Sequence, residues 1–296
     1  MNLNKKTKKP LVSILVTVYN RESYLSDCLR SILNSSWQDW EGIILDDASS
    51  DSSFQIAQEF AALDSRFKTY KNNENLGQFE TRNYIASLAQ GKYIKYLDSD
   101  DMLYPFGLET MVRGIEKFPD AGVAISHDKL HENLPYPIYM DSKHACEAYF
   151  YNKGFPNSGP SASIINRKVF NDVNGFPKPY YVGTDSLLWL KIASVSGIVK
   201  MKPALIWYRI HDGQAFSSGI NSNEYLKMDY NYLIEFLNSK SLPFTVKAAN
   251  DIRRNLKKNQ LRKLIRLALI EHKFLIAYKY FNYNKFGLRD LFNAIK

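Results

Sequence analysis

The chain has 296 residues, 45% hydrophobic and 23% charged, which excludes a disordered or collagen-like chain and leaves one large domain or two modest ones. Its two cysteines, Cys28 and Cys146, exclude a disulfide scaffold and a four-thiolate zinc site, and a reducing compartment is the default. The net charge of +9 is uneven: residues 241–296 hold 13 Lys and Arg against 3 Asp and Glu, the rest 26 against 27, so a near-neutral body carries a basic appendage suited to an anionic partner.

Lys5, Lys6, Lys8 and Lys9 precede the apolar run Leu11–Val18, as in a signal peptide. Pro10 heads that run, Ser13 and Thr17 interrupt it, and no small-residue cleavage site follows. It therefore reads as a first strand, buried on both faces, after a short basic arm. No 18-residue apolar run occurs, so no spanning helix is expected. Tyr24, Leu25, Cys28, Leu29, Ile32 and Leu33 recur at helical spacing. Glu41–Leu45 reads as a strand ending at Asp46-Asp47. A helix through Phe54, Ile56, Ala57 and Phe60 opens on the capping-type residues Ser49, Ser50 and Asp51. A short strand Phe67–Tyr70, a helix Gly77–Ala89 and a strand Tyr93–Leu97 follow, the last ending at Asp98-Ser99-Asp100-Asp101. Pro105 begins a helix to about Phe118, and Gly122–Ser126 is strand again. Such a β-α-β-α series predicts an α/β fold whose sheet is mostly parallel and flanked by helices.

From His127 to Pro160 the periodicity fails and prolines and aromatics crowd together, so a functional loop is expected. Ser161–Ile165 reads as strand, Gly183–Val195 as helix and Leu205–Ile210 as strand. Asn221–Leu237 and the chain from about Val246 read as helical.

Two carboxylate clusters, Asp46-Asp47 and Asp98-Ser99-Asp100-Asp101, each follow a predicted strand directly. Ligands of open parallel sheets bind outside the carboxyl ends of the strands, so both clusters are expected in one crevice. Crowded carboxylates repel unless a cation is present. Mg²⁺ takes one or two carboxylates and draws further ligands from substrate phosphates, so an Asp-x-Asp at a strand end suits a metal–diphosphate complex. A solvated acidic turn capping the next helix is the alternative.

Six segments follow one another along the chain: Ser13–Asn20, Asp46–Asp51, Asn75-Leu76-Gly77 with Arg82-Asn83, Leu97–Asp101, Gly183-Thr184-Asp185, and Tyr208-Arg209-Ile210-His211. In that order they resemble family 2 glycosyltransferases of the GT-A fold. The resemblance covers about residues 11–212. It implies a GT-A fold and inverting transfer of a sugar from a nucleotide donor, without a covalent intermediate. By the same resemblance, Thr17 and Tyr19 line the nucleotide pocket and Asp47 accepts a hydrogen bond from the base, usually uracil. Arg82 lies near the diphosphate or sugar, and Asp98 and Asp100 form the Asp-x-Asp motif. Asp100 is the direct ligand of Mn²⁺ or Mg²⁺, His211 a late residue near that metal, and Asp185 the general base. An attacking hydroxyl needs a carboxylate to take its proton, and a departing nucleoside diphosphate needs counter-charge. Plainer readings stand beside these: Asp185 as a helix N-terminal acid, His211 as a surface histidine, Arg82 as a surface salt-bridge residue, Tyr19 as the edge of the core.

Many relatives carry an acid directly before the base, where this chain has Thr184. The Gln-x-x-Arg-Trp motif and membrane spans of processive synthases do not occur, so transfer of single sugars is expected. UDP-hexose or UDP-N-acetylhexosamine is the donor class expected, with a glycan or lipid-linked glycan as acceptor. Two rivals are a nucleotidyltransferase, which would show a glycine-rich loop after the first strand, and an inactive glycan- or membrane-binding module.

Residues 1–220 are expected to form the catalytic domain, with nucleotide-sugar binding in about 11–126 and the acceptor side in about 127–220. Residues 221–296 form a helical, basic extension. There Arg254, Lys258, Arg262 and Arg266 recur four apart, Leu261, Leu264, Ile265 and Ala268 lie on another side, and six aromatics follow from Phe274 to Phe286. Two readings stay open. The helices lie on an anionic membrane, or they pack their apolar face on the catalytic body. The expected location is the cytoplasm, with peripheral attachment to the inner face of the cell membrane under the first reading. No nucleic-acid partner is expected.

Overall fold

The computed structural model describes residues 9–126, 134–151, 153–178, 183–211, 225–239 and 242–295. The basic arm before Lys9, the loop start at 127–133 and the helix start at 221–224 lie outside them. The chain divides into two compact units, the first comprising residues up to 180 and 184–210, the second 181–183 and 211–296.

The first unit opens with β1 (Val12–Val18), α1 (Glu22–Leu33), β2 (Trp40–Asp46), α2 (Ser53–Leu63), β3 (Phe67–Lys71), α3 (Gln78–Ser87) and β4 (Tyr93–Tyr96). It continues with β5 (Met102–Leu103), α4 (Gly107–Glu116), β6 (Ala121–Ser126), β7 (Ile138–Met140), α5 (Ser142–Phe150), β8 (Ser163–Asn166), α6 (Arg167–Asp172), α7 (Thr184–Val195), β9 (Gly197–Met201) and β10 (Ile206–Trp207). Eight strands form one sheet in the order β3-β2-β1-β4-β8-β6-β9-β7. β1 runs parallel to β2 and β4, β2 to β3 and β6 to β9, whereas β8 and the edge strand β7 run antiparallel. The expected mostly parallel α/β sheet is thus present, with one reversed strand inserted at its middle.

The pattern follows from burial. Val12, Ile14, Val16 and Val18 on one face of β1 and Ser13 and Leu15 on the other are buried, as a strand covered on both faces requires. Leu25, Cys28, Leu29 and Ile32 turn one stripe of α1 onto the sheet. They join Ile44, Leu97, Leu108, Met111 and Val199 in the main core. At Gly107 an added Cβ would stand 2.1 Å from the Leu205 carbonyl oxygen, so the first residue of α4 must be glycine for the two segments to meet.

Three expectations change here. The 127–160 loop contains β7 and α5. Asp141 caps α5 by accepting from the His144 amide, and Ala145, Cys146 and Ala148 are buried. The short Gly197–Met201 strand, β9, follows α7 so closely that the sequence reading passed over it. The expected strand 205–210 shortens to β10, which among the described residues pairs with β5 alone.

The second unit holds, among the described residues, α8 (Tyr225–Leu237), α9 (Val246–Leu269), α10 (Phe274–Tyr283) and α11 (Leu288–Ile295). Thr245 caps α9 through the Ala248 amide. Leu261, Leu264, Tyr280, Phe286 and Ala294 form a core of the unit's own, with Tyr230 edge-on to Phe286. The apolar stripe of the basic helix is therefore spent on its sister helices. No described helix is long and apolar enough to cross a membrane.

Candidate active site

The chain leaves β1 toward β2 and β3, then returns to pair β4 on the other side of β1. That reversal opens a crevice at the carboxyl ends of β1, β2 and β4, where such sheets take their ligands. Both carboxylate clusters lie there, as their positions after strands require.

At the end of β2, Asp47 donates its amide to the Val18 carbonyl, tying two strand ends together at 2.7 Å. Its carboxylate accepts from Asn72 Nδ2 at 2.7 Å, the Leu76 amide at 3.0 Å and the Gly77 amide at 3.1 Å. Gly77 sits at φ 83°, a region natural to glycine. The carboxylate expected to read the base thus also organises the 72–77 loop. A carboxylate offers about four acceptor positions, so these three bonds leave one for a ligand. Asp46 is fully buried and accepts from the Ser49 amide at 2.9 Å. Asn20 and Ala48 flank the crevice at φ 50° and 62°. Asn20 is pinned by the Ser50 amide and by the Ser49 hydroxyl, both at 2.9 Å. Tyr19 is exposed beside it, and Thr17 is half-buried on β1 opposite Leu45.

After β4, Asp98 and Asp100 are partly exposed and Asp101 is fully buried. Arg82, buried on α3, reaches Asp98 at 2.5 Å, and Arg21 reaches Asp100 at 3.3 Å. Arg82 is therefore not the surface salt-bridge residue of the plainer reading; its guanidinium holds the first acid of the Asp-x-Asp pair. Arg209 donates its amide to Asp101 at 3.2 Å and its Nε to the Asp100 carbonyl at 3.0 Å. The pairing of β10 with β5 delivers it there. Burial, then the charge of Asp98, pushes the Asp101 carboxyl up to about 7. Beneath the turn, fully buried Lys95 donates to the Tyr96 and Ser161 carbonyls, and burial holds its amine down at about 7.

Asp185 lies in the first turn of α7 and accepts from the Ser186 amide at 2.9 Å. Burial raises its pKa; Arg82 opposes that rise and Asp98 adds to it, so the three groups share one electrostatic environment. α7 is braced by the 149–158 segment. The Ser186 hydroxyl meets Tyr149 at 3.4 Å, and Trp189 donates to the Ser158 carbonyl at 2.9 Å.

The first unit thus brings Asp98, Asp100, Arg82 and Asp185 into one neighbourhood, with Asp47, Thr17 and Tyr19 on the strand ends beside them. His211 belongs to the second unit, whose long segment it begins. Among the described residues no three His, Cys, Asp or Glu side chains are arranged to hold a metal ion. Asp98 and Asp100 still offer adjacent hard oxygens, a donor set that fits a divalent cation taking its other ligands from a diphosphate. The sequence places Asp101 in the second carboxylate cluster and Arg209 in the Tyr208–His211 segment but gives neither a partner, and it gives no role to Arg21. Arg209 stands inside the Tyr208–His211 segment and Arg21 directly follows Tyr19-Asn20, but nothing in either spacing tells which carboxylate an arginine will meet.

A model of "Glycosyl transferase family 2" matches residues 13–173. An uncharacterized glycosyltransferase of Haemophilus influenzae is 28% identical over 225 residues, 70% of this chain and 68% of that protein. The chain spans only 30–44% of the length of four further curated relatives. Among solved structures, TarS 1-349 of S. aureus with UDP-GlcNAc aligns at TM-score 0.65 and 17% identity, covering 96% of this chain and 79% of that one. The mannosyltransferase PcManGT of Pyrobaculum calidifontis, with GDP-Man and Mn²⁺, aligns at TM-score 0.65 and 15% identity, covering 98% and 87%. These likenesses establish the GT-A fold.

Proposed function

Because this chain belongs to glycosyl transferase family 2, and is a glycosyltransferase that moves a sugar from a nucleotide-sugar donor, we propose that it works by a metal-dependent, inverting, non-processive transfer. The observation that carries this reading is the grouping of Asp98, Asp100, Arg82 and Asp185 at the carboxyl end of a parallel sheet. Asp185 takes the proton of the acceptor hydroxyl as its oxygen bonds to the anomeric carbon, while the bond from that carbon to the diphosphate breaks on the opposite face. One carboxylate suffices for inversion, and the second acid of a retaining glycosidase is not required. Arg82 fixes Asp98 and keeps positive charge beside the leaving group. Thr17, Tyr19 and Asp47 bind the nucleoside, and the remaining acceptor capacity of Asp47 suits a ring N–H such as that of uracil. A UDP-sugar donor is in keeping with the UDP-GlcNAc bound by TarS, whose fold this chain shares. Asp98 and Asp100 would hold Mn²⁺ or Mg²⁺, which supplies counter-charge for the departing diphosphate.

The acceptor in this reading is a glycan or lipid-linked glycan, approached from the side of α5 and α7. Leu269, Ile270, Phe274, Leu275 and Tyr278 are exposed around the turn between α9 and α10, where Arg266 and Lys273 share one acid, Glu271, and this supports peripheral contact with an anionic membrane at that turn.

The donor site is tested by calorimetry of UDP with Mn²⁺. Asp100→Ala is expected to abolish the metal-dependent part of binding while the folded protein keeps its stability, because loss of the partly exposed Arg21 pair is offset by relief of repulsion on Asp101. Unchanged affinity in the variant would remove Asp100 from the donor site.

A further inference from the structure

The two acids of the Asp-x-Asp turn each face an arginine, and the two pairs are not alike. Arg82 is buried, with its side chain 3% exposed and 2.5 Å from Asp98. Its carbonyl accepts from the Tyr96 hydroxyl at 2.9 Å, and the rings of Phe79 and Phe176 lie 5.5 and 5.9 Å from its guanidinium. Separating that pair would strand a buried charge, which is heavily penalised. Arg21 is 28% exposed and touches Asp100, itself 15% exposed against 29% for Asp98, through one nitrogen, Nε, at 3.3 Å, so the arginines and not the acids set the two pairs apart. Its Nη1 donates to the Asn20 carbonyl at 3.0 Å. Water can replace Asp100 around Arg21 at small cost, so this pair is the one that can open. Arg21 also stands on the strand end beside Tyr19, where a planar fork of N–H donors is suited to a phosphate.

We propose that Arg21 is a displaceable counter-charge: it neutralises Asp100 until a divalent cation and a nucleoside diphosphate arrive together, then releases Asp100 to the cation and pairs with the diphosphate. The charges support this. Arg21 and Arg82 offset Asp100 and Asp98, and buried Asp101 beside them accepts from the Arg209 amide. A divalent cation alone would enter beside two guanidinium groups, and a diphosphate alone beside two carboxylates. Bound together, the two bring opposite charges that offset each other, so each raises the affinity for the other, and by the same factor. The inference rests on the metal-dependent reading above and adds to it that Arg21 sets the coupling between metal and nucleotide.

Three titrations of the full chain test it: Mn²⁺ alone, UDP alone in EDTA, and Mn²⁺ at saturating UDP. In Arg21→Gln, Mn²⁺ alone should bind about tenfold tighter, UDP alone about tenfold weaker, and the coupling factor should fall, within the usual range of coupling energies. Arg21→Lys should keep most of the coupling. Asp100→Asn, which frees Arg21 without removing it, should bind UDP alone several-fold tighter. Circular dichroism confirms that each variant is folded, and Asp100→Asn decides the matter should Arg21→Gln fail to fold. Unchanged Mn²⁺ affinity in Arg21→Gln, or unchanged metal-free UDP affinity in both variants, would overturn the role of Arg21 while leaving metal dependence standing. Wild-type protein that binds no Mn²⁺ even with UDP would overturn the metal reading itself, and this inference with it.

Discussion

Burial holds the Asp185 carboxyl above its ordinary range, and a general base must be ionised to accept a proton. Transfer is therefore expected to fall as pH drops through that raised pKa, with the acid limb above the usual aspartate value of about 3.9. A profile of kcat against pH checks this, and a limb at the ordinary value would argue for a more exposed base. Asp185→Asn should remove the limb and lower kcat by about 10²–10⁴-fold, with donor KM little changed. Near-normal turnover would place the base elsewhere. Ala48 is a second test at this scale. It holds φ 62° one residue after Asp47, where a side chain is strained and glycine is not. Ala48→Gly should raise stability by up to about 1.5 kcal/mol, the roughly 1–2 kcal/mol of left-handed strain less about 0.5–1 kcal/mol for the greater freedom of glycine in the unfolded chain. A lower denaturation midpoint would mean that the strain is already relieved by the loop around it.

At the scale of elements, the crevice depends on short pairings more than on long ones. β5 and β10 have two residues each, yet their pairing carries Arg209 to Asp100 and Asp101. Gly107 sets the approach of α4 to the segment entering β10. Gly107→Ala would push a methyl group into the Leu205 carbonyl, so a loss of about 1–3 kcal/mol is expected. Donor binding should weaken along with it, because the displacement propagates to Arg209. Calorimetry and denaturation of the same variant measure both, and lost stability with unchanged donor affinity would show that Arg209 is positioned independently of α4. α5 also belongs to this scale. Its cap, Asp141, and its buried Ala145, Cys146 and Ala148 are a helix signature, but nearby prolines and aromatics obscured it by breaking the periodicity on both sides.

At the scale of the whole molecule, the excess charge and the exposed apolar residues fall in the same region. Residues 241–296 carry a net +10, and the turn between α9 and α10 presents Leu269, Ile270 and Leu275 to solvent. Attraction of roughly 1 kcal/mol per basic residue near an anionic surface is available, and salt screens it. Binding to phosphatidylserine vesicles should be strong at low salt and weaken steeply as salt rises. Ile270→Glu with Leu275→Glu should abolish it without disturbing the core of Leu261, Leu264 and Tyr280. Co-sedimentation reads the result, and full-length protein that fails to sediment at low salt would assign the basic face to solvent alone.

The sequence by itself determined the strand–helix alternation, because burial on both faces writes near-continuous apolar runs such as Val12–Val18 and a packed helix writes a stripe such as Leu25, Cys28, Leu29 and Ile32. It also determined that two acidic clusters share one crevice, since a parallel sheet places every such strand end on the same side. Only the tertiary structure decided the partners: that Arg82 is buried against Asp98, that Arg21 stands on Asp100, that Arg209 reaches the same turn from far along the chain, and that the apolar stripe of α9 closes on α10 and α11. The reason is physical. Periodicity records whether a residue is buried, whereas an ion pair or a helix contact depends on which distant segment the fold lays against it.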